Sequence, residues 1–150
     1  MSSLIYNQFK QDMLGATAIN LAAAGNLVKC ALFTSSYTPA ATDTTYGSGN
    51  LASNEVSNSG TGYTTGGNSL TAANNSILTA GAPTIGWTNT TGSSSTSWGS
   101  SASFTAAYAV LYNSSVSSHT VCCIDFGGSK TVSSGTFTIT WNASGILTLS

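Results

Sequence analysis

The sequence contains no arginine and only three lysines, Lys10, Lys29 and Lys130, against four acidic residues and one histidine; charged side chains make up 5% of its 150 residues. An ordinary soluble domain carries roughly 25%. Binding to DNA or RNA phosphates draws on clustered Lys and Arg, so three scattered lysines and a net charge of −1 argue against nucleic acid as a partner. An anionic membrane surface is disfavoured on the same ground. Long apolar runs are missing too, and nothing approaches the ~18 residues of a membrane-spanning helix. Residues 1–10 lack a basic start followed by an unbroken apolar block, so no secretory leader is expected and synthesis in the cytoplasm is the default. With no leader, three cysteines do not make a disulfide framework, although a bridge from Cys30 to Cys122 or Cys123 stays open.

Charge has been replaced by hydroxyl and amide groups: 26 Ser, 23 Thr, 16 Gly and 12 Asn. Disordered chains share part of that composition, but they combine low hydrophobicity with high net charge and few aromatics. Here 41% of residues are hydrophobic and 9% aromatic, with apolar runs along the whole length. A folded, Thr-rich β protein of one domain follows from composition and length. Its near-neutral surface is prone to association, which fits a protein covered by partners.

Residues 4–14 are the one good helix candidate, with Ser2 and Ser3 as caps and Ile5, Tyr6, Phe9, Met13 and Leu14 as an apolar stripe ending at Gly15. From Leu27 to Thr34 the chain reads as a strand that is apolar on both faces apart from Lys29, hence interior to a sheet. Residues 37–49 read as a long loop broken by Pro39, and 57–67 as turn-rich. Short strands are expected near 69–71, 77–79 and 84–87. Residues 88–103, nearly all Ser, Thr, Gly and Asn, read as an exposed loop with Trp98 tucked back onto the domain. Two strands at 104–112 and 120–126 precede a turn at Gly127-Gly128-Ser129. Residues 136–141 alternate, with Phe137, Ile139 and Trp141 on one face, and Ile146, Leu147 and Leu149 close the chain. Seven or eight short strands predict an antiparallel β-sandwich or barrel-like domain with one short N-terminal helix.

Chemistry is scarce. Any Ser–His–Asp arrangement must use His119, and no serine sits in a Gly-x-Ser-x-Gly elbow. The four carboxylates, Asp12, Asp43, Glu55 and Asp125, share no motif, so no glycosidase pair is apparent. His119, Cys122 and Cys123 have the composition of a metal site, but adjacent strand residues point to opposite faces; the cysteines read as buried, apolar side chains. The glycine-rich turns lack the lysine of a phosphate cradle. Four Asn-x-Ser/Thr sequons, at Asn74, Asn89, Asn113 and Asn142, are the number chance supplies in so hydroxylated a chain. No catalytic residue, metal or cofactor is expected. Aromatic side chains in or beside loops supply the candidate contacts: Tyr37, Tyr46, Trp87 and Trp98, with Tyr63 nearby, either as anchors of an assembly surface or stacked on sugar.

Asn54-Glu55-Val56 followed by Gly60-Thr61-Gly62-Tyr63-Thr64-Thr65-Gly66-Gly67 resembles a block in small structural proteins of tailed bacteriophages. So do Ala107-Tyr108-Ala109-Val110-Leu111-Tyr112, Ile124-Asp125-Phe126-Gly127 and Phe137-Thr138-Ile139-Thr140-Trp141, in that order. An opening helix like Tyr6–Lys10, a strand like Val28–Phe33 and a turn like Tyr37-Thr38-Pro39 complete the likeness, which covers most of the chain outside 88–103. The resemblance implies a virion protein without catalytic activity, foremost a decoration or cement protein, often a trimer, bound to the major capsid protein on the capsid exterior. A tail or fibre component, with host-glycan contact through Trp98 and the loop tyrosines, is the alternative, and an unrelated lectin-type module a third. This sequence carries hydroxyl residues in loops where such proteins often carry Asp and Lys.

Overall fold

The computed structural model describes residues 2–15, 28–70, 76–77, 85–87, 95–141 and 146–149. The chain is mainly β, with short strands β1 (Leu4–Ile5), β2 (Val28–Phe33), β3 (Asn68–Ser69), β4 (Ser76–Ile77), β5 (Ile85–Trp87) and β8 (Leu147–Leu149), and two long ones, β6 (Ser95–Asn113) and β7 (His119–Thr140). Helix α1 spans Asn7–Leu14 and a single turn, α2, spans Asn50–Ser53. An antiparallel five-stranded sheet runs β1-β7-β6-β2-β3, and a second sheet runs β4-β5-β8.

β2 is interior, between β6 and β3, as its two apolar faces require. Val28, Cys30 and Leu32 enter one hydrophobic cluster and Ala31 and Phe33 the other. The same division separates Cys122 from Cys123, paired with Leu111 and Val110 respectively. All three cysteines are free and buried, so no disulfide joins them.

The N-terminal helix is shorter than its apolar stripe suggests. Leu4 and Ile5 are drawn into β1 by pairing with Cys123 and Cys122. Tyr6, fully buried, then stands at the helix start with an extended backbone. No side chain caps α1. The Tyr6 and Asn7 amides instead donate to the carbonyls of Val121 (3.1 Å) and Ala41 (2.9 Å), so tertiary contacts replace the expected serine cap. Ser3 Oγ accepts from the Asp125 amide. The expected stripe is also truncated: Phe9 is buried, whereas Leu14 is 90% exposed.

The largest departure lies at 88–103. Residues 88–94 fall outside the described residues, but from Ser95 the chain is strand, not loop. Thr96, Trp98, Ala102 and Phe104 are buried while Ser97, Ser101 and Ser103 are exposed, a period-two pattern hidden by the uniform composition. The expected turn at Gly127–Ser129 is likewise inside β7. Ala106 pairs with Lys130 and Tyr108 with Asp125, so the longer β7 segment bulges between them. Gly127 (φ 69) and Gly128 (φ 128) take positive φ there, and Asp125 Oδ1 accepts the Gly127 amide. A second irregularity holds Ser134 at φ 47.

These bulges let the hairpin turn back over the sheet. A straight strand would separate Ile124 from Ile139 by roughly 50 Å, yet both line one groove. The returning part carries Phe137, Ile139 and Trp141 onto the core, as their alternation predicts. Asn68 Nδ2 donates to the Ser97 carbonyl (2.6 Å) and the Ser103 amide to the Thr61 carbonyl (2.8 Å), tying its other strand to β3 and the neighbouring loop. The expected strand residues Thr71, Leu78, Thr79 and Thr84, and the sequon asparagines 74, 89 and 142, lie outside the described residues.

Candidate functional site

The four carboxylates and the histidine that sequence left unconnected are each given a partner by the fold. Glu55 forms an isolated bridge with Phe33. Its Oε1 accepts from the Tyr63 hydroxyl (2.6 Å) and the Gly66 amide (2.7 Å), and its Oε2 from the Tyr46 hydroxyl (2.6 Å). The Tyr63 hydroxyl in turn accepts the Leu32 amide at 2.9 Å, and the Tyr112 hydroxyl donates to the Gly66 carbonyl. One carboxylate thus pins the turn-rich stretch 57–67 to β2 and β6.

A second chain of hydrogen bonds starts at Tyr6. The Tyr6 and Tyr37 hydroxyls are 2.6 Å apart, and Tyr37 donates onward to Asp43 Oδ2, which also accepts the Ala40 amide. Asp12 Oδ2 lies 2.8 Å from His119 Nδ1, while Gln8 Nε2 donates to Asp12 Oδ1. Among the described residues His119 bonds to Asp12 and Gln8, not to a serine hydroxyl. The pair fastens α1 to the turn of the β6–β7 hairpin.

Burial pushes the Cys122 and Cys123 thiols up to about 12 and the Cys30 thiol further; burial likewise raises Tyr112 to about 12 and moves Tyr6, Tyr37, Tyr46 and Tyr63 well above the ordinary tyrosine value. Two expectations follow. At neutral pH the native protein resists a thiol reagent such as DTNB and releases three equivalents only after denaturation; rapid native labelling would contradict the burial. In both residue types the folded state favours the protonated form. Its contribution is complete below the unfolded values, 9.0 for Cys and 10.0 for Tyr, and is lost as pH rises through the folded ones. The urea midpoint therefore falls as pH rises from 9.0 towards 12; a midpoint flat across that window would show that these groups ionise without cost.

Of the four aromatic side chains expected as contacts, the fold buries Tyr37 and Trp98. Trp98 is 2% exposed, set between Tyr63 (ring centroids 6.4 Å) and Phe137 (5.8 Å); its indole nitrogen has no hydrogen-bond partner among the described residues. Tyr37 is 1% exposed and packs on Phe33 and Tyr108. Tyr46 is half-buried, stacked on Tyr112 at 4.1 Å. Tyr63 is buried. Trp98, Tyr37 and Tyr63 are thus core rings, whereas Tyr46 keeps part of its ring exposed. Trp87 falls in β5, and its side chain lies outside the described residues.

What the surface offers is a hydroxyl face on the returning hairpin. Ser95 pairs with Thr140, Ser97 with Thr138 and Thr105 with Thr131. Ser97 and Thr138 hydroxyls are 3.0 Å apart, and those of Thr105 and Thr131 2.8 Å. Ser-x-Ser and Thr-x-Thr spacing was the available signal, masked by the abundance of both residues. Beside this face lies an apolar groove of about 600 Å³, lined by Leu4, Ile124, Ile139, Trp141 and Leu147 among others, with Lys10 its one charged residue. Among the described residues no cluster of His, Cys, Asp and Glu has the arrangement of a metal site, and no helix is long and apolar enough to cross a membrane. Comparison with protein-family models, with curated proteins and with solved structures finds no match.

Proposed function

We propose that this chain is a non-enzymatic structural protein of a bacteriophage virion, a decoration or cement protein that binds the major capsid protein on the outside of the shell. The observation that carries the reading is where the charge goes. All four carboxylates accept hydrogen bonds from the chain's own donors: Asp12 from Gln8, Asp43 from Tyr37, Glu55 from Tyr63 and Asp125 from Gly127. Beyond Lys130, the exposed face of the hairpin is left to serine and threonine hydroxyls. Such a face makes contacts that salt does not screen, unlike ion pairs, and a shell multiplies modest contacts through many copies. The ordered motifs that resemble small phage structural proteins supply the virion context.

Mass spectrometry and cryo-electron microscopy of purified particles of the encoding virus test the reading. Density at regular positions over the capsid lattice is expected. Density confined to the tail would replace cement with a tail or fibre role, and absence from the particle would remove the virion assignment.

A further inference from the structure

We infer that two copies of this chain associate through the outer edge of β7, Thr136 to Thr140, paired antiparallel with itself about a two-fold axis at Thr138. On the side away from β6, β7 pairs with β1 at Cys122 and Cys123, and among the described residues no strand pairs with it beyond that point. An open edge presents unpaired amides and carbonyls, and proteins usually guard it with charge, proline or a bulge. Here residues 131–140 hold no ionisable group and no proline. Ser134, with its positive φ, comes before the run, and the extra residues between Trp98 and Ala102 that face Thr136 belong to β6, not to this edge.

The run is self-complementary. In an antiparallel pair, directly opposed residues share a face. Centring on Thr138 sets Phe137 against Ile139 of the second copy on the apolar face, and Thr136 against Thr140 on the hydroxyl face. Centring on Phe137 would set Thr140 against Ser134, whose positive φ interrupts the strand. A register that opposes an odd-numbered residue to an even-numbered one would place hydroxyls on apolar side chains. The arrangement is isologous, each copy giving what it receives. It differs from the three-fold assembly that the family likeness implies.

Charge and continuity with the apolar groove favour a second copy as the occupant. The edge is uncharged and the chain's net charge is −1, so two copies meet little repulsion. A five-residue strand pair, roughly 17 Å long, buries less than a standard interface by itself, and Ile139 and Trp141 continue it into the apolar groove. Joining the edges also makes the hydroxyl face four strands wide. The inference does not depend on the virion reading, because it concerns the purified chain alone.

Sedimentation over a concentration series is expected to show a shift from 15.1 kDa to twice that mass. Thr138→Lys sets two like charges on the axis and is expected to abolish the shift, whereas Thr131→Lys, on the same face away from the axis, preserves it. With the native cysteines buried, Thr138→Cys supplies an exposed thiol on the axis. Mild oxidation is expected to give a covalent dimer, at least tenfold faster than with Thr131→Cys. Circular dichroism checks that each variant folds, and the two cysteine variants decide the matter if Thr138→Lys does not. A monomer at every concentration, a trimer, a dimer that survives Thr138→Lys, or equal cross-linking at both positions would each overturn the pairing.

Discussion

Gly67→Ala is expected to destabilise the protein by more than about 4 kcal/mol, enough to prevent folding in a domain of ordinary marginal stability. A Cβ at this position would stand 1.8 Å from the Cys30 carbonyl oxygen and 2.6 Å from the Ala31 Cα, both backbone atoms of the central strand β2. Neither can move without breaking pairing to β6 or β3. Gly67 also has φ +67, a conformation that costs an L residue about 1–2 kcal/mol by itself. Gly60 separates the two effects, since it shares that conformation (φ +68) but has nothing within 4 Å of a built Cβ. Gly60→Ala should cost only the conformational part. Soluble yield and urea midpoints of the two variants make the comparison; similar midpoints would show that the close approach to Cys30 relaxes easily.

Glu55→Ala is expected to cost about 3 kcal/mol, on the scale of hydrogen bonds to charged groups and the donors they leave unpaired. Removing the carboxylate takes the acceptor from two tyrosine hydroxyls and the Gly66 amide together. The Tyr63 hydroxyl would still accept the Leu32 amide, but without its own acceptor. Glu55→Gln keeps an oxygen for the Oε1 donors and should lose about half as much, because the Tyr46 hydroxyl can turn to accept from the new amide. Native-state hydrogen exchange adds a spatial readout: in Glu55→Ala, protection should fall first at Gly66 and Val56, on the loop that the carboxylate holds. Uniform loss of protection, or equal midpoints for the two variants, would show that Glu55 does not act as this acceptor.

Sequence alone determined the β-rich class, because Thr abundance, apolar runs and alternation are local properties. It also located β2, whose unbroken apolar run requires cover on both faces, and the alternation of Phe137, Ile139 and Trp141 predicted the side that meets the core. Cys122 and Cys123 point apart because strand geometry leaves adjacent residues no choice. Tertiary structure decided what depended on distant partners. Leu4 and Ile5 became strand because Cys122 and Cys123 lay open to pairing, which shortened α1. Gly127 and Gly128 have turn chemistry, yet long pairing on either side converted them into a bulge. Trp98, expected to be tucked back from a loop, is instead a strand residue buried between its ladder partner Phe137 and Tyr63, because pairing extends β6 through the Ser/Thr-rich stretch.

The scarcity of charge acquired its meaning in the same way. Composition shows how few titratable groups exist, but only the fold directs Asp12, Asp43, Glu55 and Asp125 to internal donors and leaves hydroxyls outside. Most of those donors lie near in sequence, four residues away for Gln8 and two for Gly127, but only a folded helix or turn aims them at the carboxylate; the distant partner, His119, meets Asp12 because α1 packs on the hairpin turn.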